Sequence, residues 1–332
     1  MKTLLRLFAL LALLSVATVA ARLGFDALVT APGPASSVTT VLLPRHSSSA
    51  DIGARLASAG VIAHAGWWPL LVRLSGRQPL LAGEYALPAH ASVASVLDML
   101  RRGQVVVHRL TIAEGLTVLQ SLDLLRQAYG VTLPPTVTPA EGSLLPDTYF
   151  YVYGDSADDL LGRMQRGMTE FLQTAWGNRQ PDPHLPDKAS ALVLASIIER
   201  ETALADERPH IAAVFLNRLK EHMRLQSDPT VIYAVSHGQG VLARPLSRAD
   251  LAAASPFNSY LSDGLPPTPI CNPGRASVMA ALHPADSDDL YFVADGSGGH
   301  IFARSLAEHN RNVLRLRQIE QGTPSEGETR RR

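Results

Sequence analysis

One carboxylate stands out in this 332-residue chain by the company it keeps. Residues 189–205 contain neither Gly nor Pro and consist largely of strong helix formers, which predicts a helix of about four turns. At roughly 100° per residue, Leu194, Ile197, Ile198, Leu204 and Ala205 form one apolar stripe with Glu201 in its middle, while Glu199 falls nearly opposite. A carboxylate among apolar neighbours is costly unless it is paired or stays protonated. A carboxyl that is still protonated near neutral pH is what a general acid requires. The same position also suits a Glu that pairs with an Arg and ties two helices together, so the stripe alone leaves both roles open.

The residues that follow supply polar groups at close spacing. Asp206, Glu207 and Arg208 end the first helix in charge, and Pro209 suits the start of a second helix over residues 210–222. Its apolar face is Ile211, Val214, Phe215, Leu216 and Leu219, with Asn217 and Arg218 as polar projections. Asp228-Pro229 is a turn-initiating pair, which places Gln226, Ser227 and Asp228 on a tight connection where their side chains can face a cleft.

The run 195–202, then 214–219, then 223–233 closely resembles the endolytic murein transglycosylases, the MltG or YceG-like family. So do residues 141–149, Asn258-Ser259-Tyr260 with Gly264-Leu265-Pro266-Pro267, Asn272-Pro273-Gly274, and 290–294 leading to His300. The blocks stand in family order over most of the chain after about residue 39. Thr268 stands where family members often carry Gly, which leaves the local backbone there open. The resemblance implies cleavage of the β-1,4 bond between MurNAc and GlcNAc within nascent glycan strands, leaving 1,6-anhydro-MurNAc ends and limiting strand elongation. It assigns Glu201 the catalytic role, with Glu199 as the competing carboxylate. Ordinary glycosidases need two carboxyl groups. A lytic transglycosylase needs fewer, because the muramic acid's own C6 hydroxyl attacks C1 and the deprotonated acid collects that proton.

Gln226, Ser227, Asp228, Tyr233, Asn258, Tyr260 and His300 are the expected glycan contacts, joined by Glu141 and Asp147. Each has a structural alternative. Asp228 can cap the following helix, Asn258 can bond its own turn, and His300 can be an ordinary hairpin residue. No metal or cofactor is expected: the eleven His never stand a helical turn apart with a Glu between them, and no Gly-rich phosphate loop occurs.

Composition limits the partners. Thirty basic and thirty acidic residues cancel, which argues against nucleic acid. The single Cys271 excludes an intramolecular disulfide and predicts a buried free thiol. Lys2 and Arg6 precede an uncharged run over residues 7–21 that Arg22 closes. Flanking apolar residues extend it enough to span a bilayer if both Arg side chains reach back to the interface. A cleavable signal peptide ending at Val19-Ala20-Ala21 fits the same pattern. Resemblance to single-pass inner-membrane proteins favours the anchor, with the N-terminus inside and the catalytic part in the periplasm. The expected partners are peptidoglycan glycan strands, the inner membrane and a peptidoglycan synthase.

The fold class expected is α+β, in five parts: a membrane helix over 1–30, a linker over 31–37, a LysM-like module over 38–104, a mixed α/β catalytic domain over 105–320 and a disordered tail over 321–332. Two βα units carry the first part, with strands over 38–43 and 105–112 and helices after each; a helix over 67–74, a short strand at 83–85 and a helix over 93–102 lie between. Trp67 and Trp68 fit either a sugar platform or the core. Pro134, Pro135 and Pro139 mark a break before Glu141. A strand follows over 146–154, then helices over 158–176, 248–254 and 276–282. The Pro- and Gly-rich path over 255–274 reads as a cleft wall. A hairpin pairs 290–294 with 300–302, and a helix over 305–318 closes the fold.

Two other functions fit parts of this pattern. A non-catalytic glycan-binding scaffold would use Glu201 only for helix pairing. A hydrolytic muramidase would enlist Asp228 or Asp147 as its second carboxylate.

Overall fold

The computed structural model describes residues 2–76, 78–132 and 135–322. Pro134 and most of the 321–332 tail lie outside these. The chain divides into two compact units, one of residues 1–108 with 150–154, the other of residues 109–149 with 155–332. The division falls at 108/109 rather than at 104/105, and the end of one strand is counted with the first unit.

The first unit opens with α1 (Lys2–Thr30), a continuous helix whose stretch Arg6–Thr30 is long and apolar enough to cross a membrane. After it come β1 (Thr39–Leu43), α2 (Ser49–Ser58), a 3₁₀ turn at Ala65–Trp67, α3 (Trp68–Leu74), β2 (Gly83–Leu87) and α4 (Val93–Arg102). Ser48 and Asp51 form a capping box that starts α2. Gly103 in the left-handed region ends α4. β1 and β2 pair antiparallel, Thr39 opposite Leu87 and Leu43 opposite Gly83. The two βα units expected from sequence therefore do not share a sheet; the first strand pairs with the short strand between them. Leu43, Leu56, Trp68, Tyr85, Leu87, Val96 and Leu100 build the core of this unit. The adjacent tryptophans separate, Trp68 at 1% exposure and Trp67 at 59%.

Next along the chain are β3 (Val107–Thr111), α5 (Val118–Gln127), β4 (Thr148–Val152), α6 (Ala157–Gly177), α7 (Lys188–Glu201) and α8 (Arg208–Lys220). They are followed by α9 (Asp228–Val235), α10 (Arg248–Leu251), α11 (Arg275–Leu282), β5 (Tyr291–Ala294), β6 (His300–Ala303) and α12 (Leu306–Gly322). β3 pairs with β4, and β5 with β6 in an antiparallel hairpin.

Helix α7 is the axis of the second unit. Asp187 and Ser190 form its capping box, and residues 193–198 are all buried, so the helix is covered on nearly every side rather than along one stripe. Leu194, Ile197 and Ile198 pack with Ile211, Phe215, Val278 and Leu282 from α8 and α11. The helix stops at Glu201, four residues before the expected end. Thr202 adopts extended backbone, its hydroxyl accepts from the Leu204 amide and donates to Glu207, and Leu204 turns outward at 44% exposure. Leu204 and Ala205 therefore do not extend the apolar stripe.

Candidate functional site

Glu201 is the last residue of α7, at the end of the helix where unpaired carbonyls concentrate negative charge. An anion is unfavourable there before any neighbour is considered. The side chain is largely withdrawn from water, and this desolvation pushes its carboxyl up to about 7; the nearby Asp228 pushes the same way. Three groups pull it back: the Ser227 hydroxyl, His300 and Arg218. The carboxyl thus sits close to half-ionised at neutral pH, which suits a group that must first give and then take a proton.

Ser227 is built for this contact. It occupies the N-cap of α9, where a Ser normally accepts from the helix's first amides, yet its hydroxyl makes no such bond. It donates instead to Glu201 Oε1 at 2.5 Å. The Ser227 amide is fixed by the Ser259 hydroxyl at 2.9 Å, and the Thr230 hydroxyl donates to the Ser227 carbonyl at 2.7 Å. Before it stands Gln226, exposed and held at φ 51°, a left-handed conformation that costs a non-glycine residue energy and is found at sites the surrounding structure over-determines. Its amide donates to the Ser259 carbonyl.

Asp228 is exposed and accepts from the Tyr260 hydroxyl at 2.6 Å. Burial, then Asp228, raises the Tyr260 hydroxyl pKa, so Tyr260 remains a donor. His300 begins β6 and is locked by Glu207, whose two oxygens accept from the His300 amide and Nδ1, each at 2.7 Å. The Phe292 ring meets the imidazole edge-on. Arg218, which the sequence marked only as a polar projection of its helix, is a member of this group. It is buried at 8% exposure, donates to the carbonyls of Leu290 and Leu225, and places a fixed positive charge near Glu201 and Tyr260. Its signal in the sequence is an Arg on the otherwise apolar face of a helix. Ser259 and Thr230 were also missed, because their roles depend on chain reversals that no local pattern displays.

The other expected contacts fall elsewhere. Asn258 is fully buried and spends its side chain inside its own turn, donating to the Leu251 and Ala253 carbonyls and accepting from the Tyr260 amide. It shapes the loop and cannot touch a glycan. Asp147 accepts from the Thr148 amide and lies 3.6 Å from Arg275, with no bond to the Glu201 group among the described residues. Tyr233 donates to Glu141 at 3.4 Å, and Glu141 also accepts from the Val118 amide at the start of α5. Burial pushes Glu141 up to about 7 and Tyr233 up to about 12. These two form a second polar pair, distinct from the Ser227 contact.

Glu199 has a structural task. Its carboxylate accepts from the Gly274 amide at 2.9 Å and lies 3.5 Å from the buried Arg208 guanidinium. Arg200 donates to the carbonyls of Gly115 and Gly240. Glu114, Glu199, Glu201, Thr202 and Arg208 line an open cleft of about 490 Å³ at the end of α7. Among the three carboxyl groups that line this cleft, only Glu201 combines a carboxyl raised to about 7 with a hydroxyl partner.

A family model described as YceG-like matches residues 41–315. A Bacillus subtilis protein named endolytic murein transglycosylase is 40% identical over 175 residues, 52% of this chain and 47% of that protein. A protein of the same name from Streptococcus pneumoniae is 28% identical over 336 aligned positions, 87% of this chain and 60% of that one. The chain therefore spans about half to three-fifths of these relatives' length. The crystal structure of a yceG-like protein from Listeria monocytogenes matches with a TM-score of 0.51 at 29% identity, covering 83% of this chain and 99% of that one.

Proposed function

The chain belongs to the YceG-like family, and from that premise we propose that it is an endolytic lytic transglycosylase of peptidoglycan with Glu201 as its one acid–base group. Protonated Glu201 donates to the glycosidic oxygen as the bond from MurNAc C1 to GlcNAc breaks. The muramic acid C6 hydroxyl attacks C1, and its proton passes to the Glu201 carboxylate, which restores the acid. No water is consumed, and the product carries a 1,6-anhydro ring. The observation that carries this reading is the Glu201 carboxyl itself, raised to about 7 by desolvation and oriented by Ser227.

Asp228, Tyr260 and His300 lie near that carboxyl with donors and acceptors, and exposed Gln226 adjoins Ser227 in the chain, which supports a glycan-binding role for them. Arg218 stabilises the carboxylate after proton transfer without leaving its own carbonyl partners. Asp228 keeps a hydrolytic muramidase reading testable, since it is a second carboxylate near the first. Mass spectrometry of digested sacculi decides: anhydro ends support the transglycosylase, products heavier by one water indicate hydrolysis, and no released muropeptide leaves a scaffold.

The strand–helix–helix–strand order of β1, α2, α3 and β2, with antiparallel strands, supports a LysM-like glycan-binding module within residues 38–104. The apolar helix α1 supports a single-pass anchor in the inner membrane, N-terminus inside, with the remainder in the periplasm beside peptidoglycan synthases.

A further inference from the structure

The helix α3 divides its side chains in a way that the first unit's core does not require. Trp68 and Leu71 point inward, at 1% and 8% exposure. Trp67, which ends the preceding 3₁₀ turn, with Leu70 and Leu74, spaced three and four residues apart, forms a stripe on the adjoining side at 59%, 45% and 62% exposure. Three large apolar side chains on one helical face, turned to solvent, mark a contact surface.

The position of this stripe is fixed by the chain that enters the unit. Helix α1 ends at Thr30, and the linker is pinned to the unit at once: the Gly33 amide donates to the His90 carbonyl, and the His90 amide to the Ala35 carbonyl. A Cβ on Gly33 would lie 2.4 Å from the Ala91 carbonyl oxygen, so the linker is packed against the unit with no room to spare. Pro32 and Pro34 stiffen it on either side. As a result Leu28, in the last turn of α1, and Trp67 line the same cavity of about 210 Å³, closed by Pro32, Ile62 and Leu71. Along α1 the ion pair of Arg22 with Asp26 marks where the apolar run meets headgroups. Leu28 is half a turn beyond it, so an α1 seated in a bilayer would carry Trp67 to the depth of the interfacial layer, where Trp is the favoured residue. Exposed Arg73 adds positive charge suited to anionic headgroups, and half-buried Arg101 ties down the end of α3 by donating to the Ser75 and Gly76 carbonyls.

We propose that Trp67, Leu70 and Leu74 form a second, monotopic membrane contact that beds into the phospholipid leaflet beside α1 and holds the first unit against the membrane surface. This rests on the reading of α1 as an uncleaved anchor, and the test separates the two. The full chain is reconstituted into vesicles of phosphatidylethanolamine and phosphatidylglycerol whose acyl chains are brominated near the headgroup, and flotation and tryptophan emission are measured on one sample. Bromine should quench the wild type by up to the share of Trp67, one of three tryptophans. Trp67→Phe should abolish that quenching, and Leu70→Ser with Leu74→Ser should strongly reduce it, while both variants still float and melt as the wild type does. Floating protein whose emission bromine does not change, or changes equally in Trp67→Phe, overturns the contact while the anchor stands. Emission that follows protein density rather than bromine also overturns it, in favour of contact between copies. Failure to float overturns the anchor and the contact together.

Discussion

At Glu201 a balance of opposing effects sets the protonation of the carboxyl. Desolvation and Asp228 raise the carboxyl to about 7, against an ordinary 4.5, while Ser227, His300 and Arg218 restrain it. The rate should therefore fall as pH rises through about 7, since the ionised form cannot donate; a kcat/KM profile without that falling limb would contradict the assignment. Ser227→Ala removes a bond to the charged form, so the limb should move to higher pH while kcat drops from lost orientation. Glu201→Gln should lower anhydro-muropeptide release by about 100-fold or more with the fold intact by circular dichroism. Glu199→Gln should behave differently: its side chain is 6% exposed and faces Arg208 and the Gly274 amide, so stability should fall by about 1–3 kcal/mol with a milder effect on turnover. The sign of the pH effect on stability follows from the same shift. A carboxyl whose folded value is raised binds more protons in the native state between 4.5 and 7, so stability is fully present below 4.5 and is lost as pH rises through 7. Glu141 adds a parallel loss, because burial also raises it to about 7. Glu141→Gln should flatten melting temperature against pH over this window.

At the level of elements, the site is an arrangement of ends. The C-terminus of α7 supplies Glu201, the N-terminus of α9 supplies Ser227 and Asp228, and the first residue of β6 supplies His300. Each end is locked by a partner from elsewhere in the chain: Ser259 for Ser227, Glu207 for His300, and Gly274 for the last turn of α7. A Cβ on Gly274 would lie 1.9 Å from a Glu114 carboxylate oxygen, so a larger residue there requires the half-exposed Glu114 side chain to swing away. Gly274→Ala should lower stability by less than about 1 kcal/mol and leave activity near that of the parent, as thermal unfolding and product assays will register. The helices and strands themselves were legible, because 3.6- and 2-residue periodicity and caps such as Asp187 with Ser190 are local properties. The end of α7 was not, because Thr202 stops the helix by bonding Glu207, a partner whose position depends on the turn that follows.

For the whole molecule, the stretch Arg6–Thr30 and the pinned linker carry the expectation that the chain acts at the membrane. N-terminal sequencing of the protein recovered from membranes should begin within residues 1–5, and carbonate washing should not release it; a start after Ala21 would establish a cleaved signal peptide instead. A chain lacking residues 1–30 should become soluble and still yield anhydro ends.

The sequence by itself determined the family pattern, the buried acid on its helix, the apolar N-terminal run and the exclusion of a disulfide within the chain, since these depend on residue type and short-range spacing. Only the tertiary structure decided which polar residues work together. It drew in Arg218, Ser259 and Thr230, took Asn258 into the interior of its own turn and bound Glu199 to Arg208. The reason is that a pKa and a hydrogen bond are set by near neighbours, and Ser227, 26 positions from Glu201, comes within 2.5 Å of it only when the chain between them folds back.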